Sequence, residues 1–253
     1  PRSSRTDRWN DTGSPDAAPC PPPQGRSGAV CMTRTQQIAQ IDNAAAFQAV
    51  FGWPASLMAK LEIYAASVAQ WQKAVNLVAP RSLPDIWHRH FADSAQVITH
   101  LPSSTRHLAD LGSGGGFPGL IIALHASETP DLRVTLVESD TRKAAFLRET
   151  ARRMEIVVDI ASTRIESDAS VSRLVGVDTV TARAFAPLAR LFELASPLFA
   201  TGAAGVFLKG ESVGQEIADA RKQWCFDVEL HPSVTEPSGR IAVVRRVKPN
   251  SET

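Results

Sequence analysis

A glycine-rich turn is the feature that most constrains how this chain of 253 residues can fold. The segment Asp110–Gly119 continues directly from a short apolar run and leads into a helical pattern. Glycines allow positive φ angles and let a ligand approach the backbone without a Cβ in the way. The helix that follows is expected to direct free N–H groups and the positive end of its dipole to the same place. The turn therefore predicts a ligand-binding site; its closely spaced glycines are Gly112, Gly114, Gly115 and Gly116.

Short β-branched runs alternate with helical patterns from Arg106 onward, which predicts the α/β class, with a mostly parallel twisted sheet between two layers of helices. Helix candidates lie at 118–127, 141–154, 166–174, 187–200 and 213–224. The last two strands flank a Pro/Ser/Gly-rich turn, Glu236–Gly239, and are expected to form an antiparallel C-terminal hairpin. The strand candidates are His107–Leu111, Val134–Glu138, Ile156–Ile160, Asp178–Arg183, Val206–Lys209, Asp227–Leu230 and Ile241–Val247.

Two further parts precede this α/β region, which we place at residues 106–249. Residues 1–31 hold six of the 17 prolines and almost no branched aliphatic residues, so residues 1–32 are predicted to be a disordered extension. Residues 33–105 carry apolar positions at helical spacing and predict a small helical N-terminal region. Its first stripe runs from Ile38 and Ile41 to Val50, and Pro84 is expected to begin another helix.

Charge and composition exclude several classes of protein. Removing the four arginines and three aspartates of residues 1–31 from 27 basic and 26 acidic residues leaves 23 of each. A nucleic acid must therefore meet a local basic patch, because the folded part has no net charge. No run reaches the roughly 18 apolar residues of a membrane span. The three cysteines form no CxxC pair, which predicts neither a disulfide framework nor a metal site and fits a cytoplasmic location.

Two kinds of ligand are compatible with the glycine turn. Gly114, Gly116 and Gly119 satisfy the dinucleotide pattern, and Glu138 is spaced like a carboxylate that binds a ribose. An NAD-dependent oxidoreductase is therefore one interpretation. Counted from Gly112, however, where the tight turn begins, the third glycine of that pattern is replaced.

S-adenosylmethionine is the other candidate ligand, and the sequence favours it. Phe117 stands where the dinucleotide pattern requires its third glycine and could cover an adenosyl group. The only tyrosine, Tyr64, has no lysine four residues on, so the usual acid of hydride transfer is missing. Glu138 would accept both ribose hydroxyls in charge-assisted hydrogen bonds. A non-catalytic ligand-binding module is a third interpretation.

Strings of residues between 55 and 248 resemble the bacterial small-subunit rRNA guanine-N7 methyltransferases, also called the glucose-inhibited division protein B (GidB) family. The combination of Arg89–Ser94 with the glycine turn and Ala182–Phe185 is the most specific part of this resemblance. The matching strings are Trp71–Leu77, Arg89–Ser94, Asp110–Gly119, Val137–Ser139, Arg142–Leu147, Arg164–Glu166, Ala182–Phe185 and Leu208–Gly210.

This resemblance implies a class I methyltransferase Rossmann-like fold behind the helical N-terminal region. It implies S-adenosylmethionine as cofactor and N7 of guanine 527 in 16S rRNA as the target. The partner would be 16S rRNA, the small ribosomal subunit or an assembly intermediate, with no role for a metal or a membrane. Carried over residue by residue, the cofactor-binding positions are Gly112, Gly114, Phe117, Glu138, Ile165, Glu166 and Arg183.

Arg183 is the one residue to which we assign a catalytic role. It could offset charge around the donor carboxylate, contact the phosphate of the target nucleotide, or form an ordinary ion pair. The chain departs from the family pattern at Gln72 and Val78, and the stretch between Glu166 and Arg183 is longer than usual.

Guanine N7 carries an in-plane lone pair and no proton, so its methylation needs no general base. The sequence agrees, because the fourth strand lacks the Asn/Asp-Pro-Pro string of amino methyltransferases and Cys225 lies far from the expected site. The basic residues of helix 141–154, Lys143 among them, are interpreted as a solvated face. The candidate substrate-contacting residues are Asn76, His90, Asp93, Phe185 and Lys209.

Overall fold

The computed structural model describes residues 37–128, 131–167 and 172–250. The predicted disordered extension lies outside these residues. The described part contains a seven-stranded sheet with the order β3-β2-β1-β4-β5-β7-β6. Strands β1 to β5 are parallel, and β7 runs antiparallel between β5 and β6, which confirms the predicted mostly parallel sheet with a C-terminal hairpin. The strands are β1 His107–Leu111, β2 Arg133–Val137, β3 Asp159–Ala161, β4 Thr179–Arg183, β5 Ala204–Lys209, β6 Trp224–Pro232 and β7 Arg240–Pro249.

The helices follow the predicted alternation with the strands. Before the sheet come α1 Ala44–Phe51, α2 Ala55–Trp71, a 3₁₀ turn at Pro80–Ser82 and a mixed helix, α3. Helix α3 has π-helical bonding over Trp87–Ala92, α-helical bonding over Asp93–Ala95 and 3₁₀ bonding over Gln96–His100. The later helices are α4 Gly119–Ala126, α5 Thr141–Arg153, α6 Leu188–Leu194, α7 Ser196–Ala200 and α8 Val213–Ala220.

The two faces of the sheet belong to two separate hydrophobic cores because strand side chains alternate in direction. On β5, Val206 and Leu208 enter one core and Phe207 enters the other. The first core also contains the apolar side chains of α2 and α3, such as Tyr64 and Phe91. The helical N-terminal region therefore shares its core with one face of the sheet.

Three predicted boundaries are corrected by backbone geometry. Residues 37–42 have no regular secondary structure, and α1 begins only after Asn43, whose side chain accepts a hydrogen bond from Ala46 N. Strand β3 begins at Asp159 and not at 156, because Glu155 takes a left-handed φ of 51° after α5 and Val157 is fully exposed. The helix predicted at 187–200 divides into α6 and α7, since Pro197 lacks the N–H that a continuous helix would need.

Two further expectations change in the structure. The helix predicted at 166–174 falls partly on 168–171, outside the described residues. Ile165 and Glu166 form a turn, and among the described residues of this range Ser172 and Arg173 are helical. Cys225 in β6 is disulfide-bonded, whereas the three cysteines predicted no disulfide framework.

Candidate active site

The buried carboxylate of Asp110 organises the glycine turn. It accepts a hydrogen bond from the Thr181 hydroxyl of β4 at 3.0 Å and one from the Gly119 N–H at 3.2 Å. Asp110 therefore links two central strands to the first residue of α4. Burial raises the pKa of Asp110 to about 6, although the hydrogen bonds and the nearby Arg183 favour its charged form.

Helix α4 does not offer free N–H groups to a ligand, which corrects the sequence expectation. Pro118 has no N–H, and the Gly119 N–H is bonded to Asp110. The next three N–H groups of the first turn, those of residues 120–122, donate to the carbonyls of Gly116 and Pro118. A diphosphate would meet a carboxylate here and no free donors, so the geometry disfavours a dinucleotide at this helix end.

Tyr64 of α2 holds the glycine turn from the N-terminal side. Its hydroxyl donates to the Gly115 carbonyl at 2.5 Å, and its ring stacks on Phe117 with centroids 5.3 Å apart. A Cβ at Gly116 would overlap the Tyr64 hydroxyl, and Gly116 has a φ of 90°. Glycine is required at this position for both reasons. The turn is therefore packed against the N-terminal region and not exposed to solvent on that side.

Glu138 stands at the end of β2, next to the glycine turn. Its carboxylate accepts hydrogen bonds from Gly114 N and Asp140 N, both at 2.7 Å. Each carboxylate oxygen can accept more than one hydrogen bond, so these two contacts orient the carboxylate and leave it able to accept further hydrogen bonds. Glu138 thus joins the turn to the loop that begins α5.

Two clefts meet at Gly112, which lines both. The wide cleft has a volume of about 600 Å³ and is bounded by the glycine turn, the N-terminal region and the β6–β7 hairpin. The narrow cleft has a volume of about 360 Å³ and lies over the ends of β2, β3 and β4. Most of the predicted site residues line one of the two clefts, whereas the buried Glu138 lines neither. Gly114, Phe117, His90, Asp93, Arg183 and Lys209 line the wide cleft, and Ile165, Glu166 and Phe185 line the narrow one.

Arg183 connects the end of β4 to α3. Its guanidinium donates to Asp93 Oδ2 at 3.2 Å, to the Arg89 carbonyl at 2.9 Å and to His90 Nδ1 at 2.5 Å. It also lies over the Phe117 ring, with Cζ 5.1 Å from the centroid. The predicted Arg183, His90 and Asp93 are therefore brought together, although they are about 90 residues apart in sequence.

His90 is held in its neutral form. Its Nε2 is 2.8 Å from the Ser82 hydroxyl and its Nδ1 accepts from Arg183, so both ring nitrogens have partners. Burial lowers the pKa of His90 to about 3, with further lowering from Arg183 and Arg89. A histidine with this pKa stays uncharged at neutral pH, which leaves its Nδ1 free to accept from the arginine.

The side chains of Arg183 and Phe185, at the end of β4, lie in different clefts. Ala184 has a left-handed φ of 48°, an uncommon conformation for a residue with a Cβ. This turn places Arg183 in the wide cleft and Phe185 in the narrow one. The Phe185 ring covers Gly112, where a Cβ would overlap it, and Phe185 remains 40% exposed.

Two of the predicted substrate residues lie differently from expectation. Lys209 is buried, and its ammonium pairs with Glu216 at 2.8 Å and donates to the Ala186 carbonyl at 2.7 Å. It therefore braces the loop after β4, and Glu216 neutralises its charge although it lines the wide cleft. Asn76 is exposed and lines neither cleft. The neighbouring Gln72 holds Val78, which lines the wide cleft: its amide nitrogen donates to the Val78 carbonyl and its amide oxygen accepts from the Val78 N–H.

Asp110 and Tyr64 also belong to the site, although the sequence pattern does not assign them to it. The sequence does mark Asp110, because it is the only carboxylate in the predicted strand His107–Leu111 and it comes just before the glycines of the turn. No sequence pattern marks Tyr64, because its position fits the apolar stripe of α2. Its hydroxyl reaches the Gly115 carbonyl only because α2 packs on the turn.

Comparisons with known proteins identify the family. The family model described as GidB, rRNA small subunit methyltransferase G, matches residues 57–241. The chain belongs to this family. A relative with this family name from Parvibaculum lavamentivorans is 43% identical over 206 residues, covering 81% of this chain and 90% of the relative. One from Rhodospirillum rubrum is 48% identical over 182 residues, covering 72% and 87%.

The GidB family membership agrees with the sheet topology and confirms the class I methyltransferase Rossmann-like fold with an N-terminal helical region. The crystal structure of cofactor-bound Rv0187 from MTB is similar in fold, with a TM-score of 0.51 and 15% identity, covering 83% of this chain and 99% of that one. Among the described residues, none of the helices is long and apolar enough to span a bilayer. The same residues contain no group of three or more side chains suited to hold a metal ion.

We predict that replacing Asp110 by Asn changes how stability depends on pH. A folded-state pKa of about 6, above the usual 3.8, means that the folded protein keeps a proton that the unfolded chain releases. The free energy of unfolding therefore falls as pH rises through this window, by at most about 3 kcal/mol. Asp110→Asn should remove this fall, so its stability relative to the original protein should increase between pH 4.5 and 7.5, as measured by urea denaturation.

The exposed Asp42 supplies the matched control for this measurement. Asp42→Asn should leave the pH dependence unchanged. Other titrating groups, such as His90, contribute equally to the pH dependence of the unfolding free energy in all three proteins. Their contributions therefore cancel when each variant is compared with the original protein. Parallel stability curves for the original protein and Asp110→Asn would contradict the assignment.

Proposed function

We propose that this rRNA methyltransferase uses S-adenosylmethionine to methylate N7 of a guanine in 16S rRNA, at guanine 527. The observation that carries the proposal is the junction of two clefts at Gly112, beside a helix end that Asp110 closes to phosphates. One cleft can then take an adenosyl group and the other a target base, without a diphosphate between them.

The residues around this junction fit S-adenosylmethionine. Glu138 lies buried at the end of β2, behind the lining of the two clefts, and its carboxylate oxygens keep acceptor capacity that would serve two ribose hydroxyls. Ile165 and Glu166 would border the adenine in the narrow cleft, and the backbone of the turn from Gly112 would support the methionyl part. When bound, the cofactor supplies a methyl group already activated by its sulfonium, so the protein mainly has to align the reacting groups. The remaining cofactor positions in this proposal are Gly114, Phe117 and Arg183.

The electrostatics of the wide cleft support N7 as the acceptor. N7 of guanine has a lone pair and no proton to lose, so it needs no base. His90 is unsuited to act as one, since Ser82 and Arg183 occupy both of its ring nitrogens and its pKa is about 3. The carboxylate of Asp93 is bound to Arg183, Gln96 and Thr235.

Arg183 would act in this cleft by fixed positive charge. Its guanidinium is held by His90 and Asp93, and its side chain is 17% exposed. It can therefore reach a ligand in the wide cleft without leaving its partners, because a guanidinium carries five N–H donors. The charge would face either the carboxylate of the donor or the phosphate of the target nucleotide.

The proposed partner is 16S rRNA within the small ribosomal subunit or one of its assembly intermediates. The family name states an rRNA of the small subunit, and the finer assignment is part of this proposal. A cytoplasmic location, where ribosomal subunits are assembled, is proposed with it.

Mapping of methylated guanines tests the target directly. Deletion of the gene should remove one N7-methylguanine from 16S rRNA, at guanine 527, and expression of the intact protein should restore it. The readout is mass spectrometry of rRNA fragments. If the deletion strain keeps all of its N7-methylguanines, the proposed target is wrong.

Calorimetry separates the three interpretations of the glycine turn. We expect S-adenosylhomocysteine to bind with a one-to-one stoichiometry and NAD to show no binding, because the helix end offers NAD no N–H groups. Binding of NAD alone would overturn the proposal. Binding of S-adenosylhomocysteine without methyl transfer to any small-subunit rRNA preparation would favour the non-catalytic binding module.

Replacement of Arg183 tests its role in the cleft. Arg183→Ala should lower kcat/KM for methyl transfer by about 100-fold or more, because the variant loses a positioned charge and frees His90 and Asp93. Arg148→Ala, on the exposed face of α5, should change kcat/KM less than twofold. Transfer of a labelled methyl group to 30S particles measures both. Equal effects of the two substitutions would contradict the placement of the site.

A further inference from the structure

The mouth of the wide cleft carries an excess of positive charge. Six cationic side chains and two carboxylates line this cleft. One cation, Arg183, pairs with Asp93, and another, Lys209, pairs with Glu216. Four cations remain, and none of them forms an ion pair with a carboxylate among the described residues: Arg81, Arg89, Lys143 and Arg240.

These four side chains come from distant parts of the chain. Arg81 lies in the 3₁₀ turn and Arg89 in α3, and both are exposed. Lys143 lies in the first turn of α5 and is partly exposed, so the prediction that it belongs to a solvated face omits its place on the cleft wall. Arg240 begins β7, and its Nη1 donates to the carbonyls of Pro237 and Gly239, which holds the guanidinium in place.

Surface cations elsewhere in the chain are often neutralised by a neighbour. Arg152 pairs with Glu149, and Lys222 pairs with Asp219, each within one helical turn. Because residues 32–253 hold equal numbers of basic and acidic residues, the cleft concentrates charge that the folded part lacks overall. A local excess of this kind attracts a polyanion to one place on the surface.

We propose that Arg81, Arg89, Lys143 and Arg240 bind the RNA phosphates that flank the target nucleotide. This inference rests on the proposed function and adds where the RNA backbone lies. The phosphates would cross the mouth of the wide cleft, held on one side by the N-terminal region and on the other by α5 and the hairpin. Phosphate contacts position a nucleic acid without reading its sequence, so these residues set register and affinity.

The salt dependence of the reaction distinguishes a phosphate contact from a structural role. We would compare the double variants Arg81→Gln/Arg89→Gln and Lys143→Gln/Arg240→Gln with the original protein, on 30S particles and over a range of KCl concentrations. Each lost contact should reduce the slope of log kcat/KM against log salt concentration by about 0.7. kcat/KM at low salt should fall several-fold, mainly through KM.

A matched control removes the same charge outside the cleft. Arg106→Gln/Arg148→Gln changes two exposed cations that line neither cleft and form no ion pair among the described residues, and its slope should stay that of the original protein. The dissociation constant for S-adenosylhomocysteine should be equal in all proteins, which also verifies that the variants fold.

The outcomes separate this inference from the proposed function. If the original protein methylates no rRNA, the proposed function fails. If it does methylate rRNA and the cleft variants keep its salt slope, or change it no more than the control does, only the phosphate assignment is overturned.

Discussion

One buried carboxylate sets the geometry on which the candidate site depends. Asp110 is the penultimate residue of β1, and its carboxylate accepts hydrogen bonds from the Thr181 hydroxyl and from the first N–H of α4. The glycine turn between Asp110 and α4 is therefore closed at its two ends by the same side chain. The helix end that could bind a diphosphate is occupied from within the protein, and the space above the turn remains for a ligand of another kind.

The N-terminal region completes the site that the sheet begins. Tyr64 supports the turn from α2, while His90 and Asp93 of α3 hold Arg183 of β4. A class I sheet alone would leave Arg183 without these partners and the wide cleft without one wall. The shared hydrophobic core stabilises this arrangement, because the helices that supply the polar partners also bury their apolar faces on the sheet.

Much of this could be predicted from the sequence, for local reasons. The strand–turn–helix pattern around Gly112 predicts where a ligand lies, and the alternation of short strands with helices predicts the parallel sheet. Predictions failed where the outcome depends on distant neighbours. Lys209 has the composition and position of an RNA contact, but Glu216 from the following helix neutralises it. Ile41 fits the predicted helical stripe but precedes α1, where its N–H donates to Nδ1 of the distant His88 and not to a helical carbonyl.

The sequence by itself determined the order of the elements, the glycine turn and the resemblance that the family comparisons bear out, since these depend on residue spacing along the chain. Only the tertiary structure decided which side chains meet. Arg183 and His90 come from separate elements, and their hydrogen bond exists because α3 packs beside the end of β4. The wide cleft likewise gathers cations that have no carboxylate partner among the described residues, and this is a property of the fold. Whether a charge is neutralised depends on which carboxylate lies next to it in space, and sequence distance does not fix that.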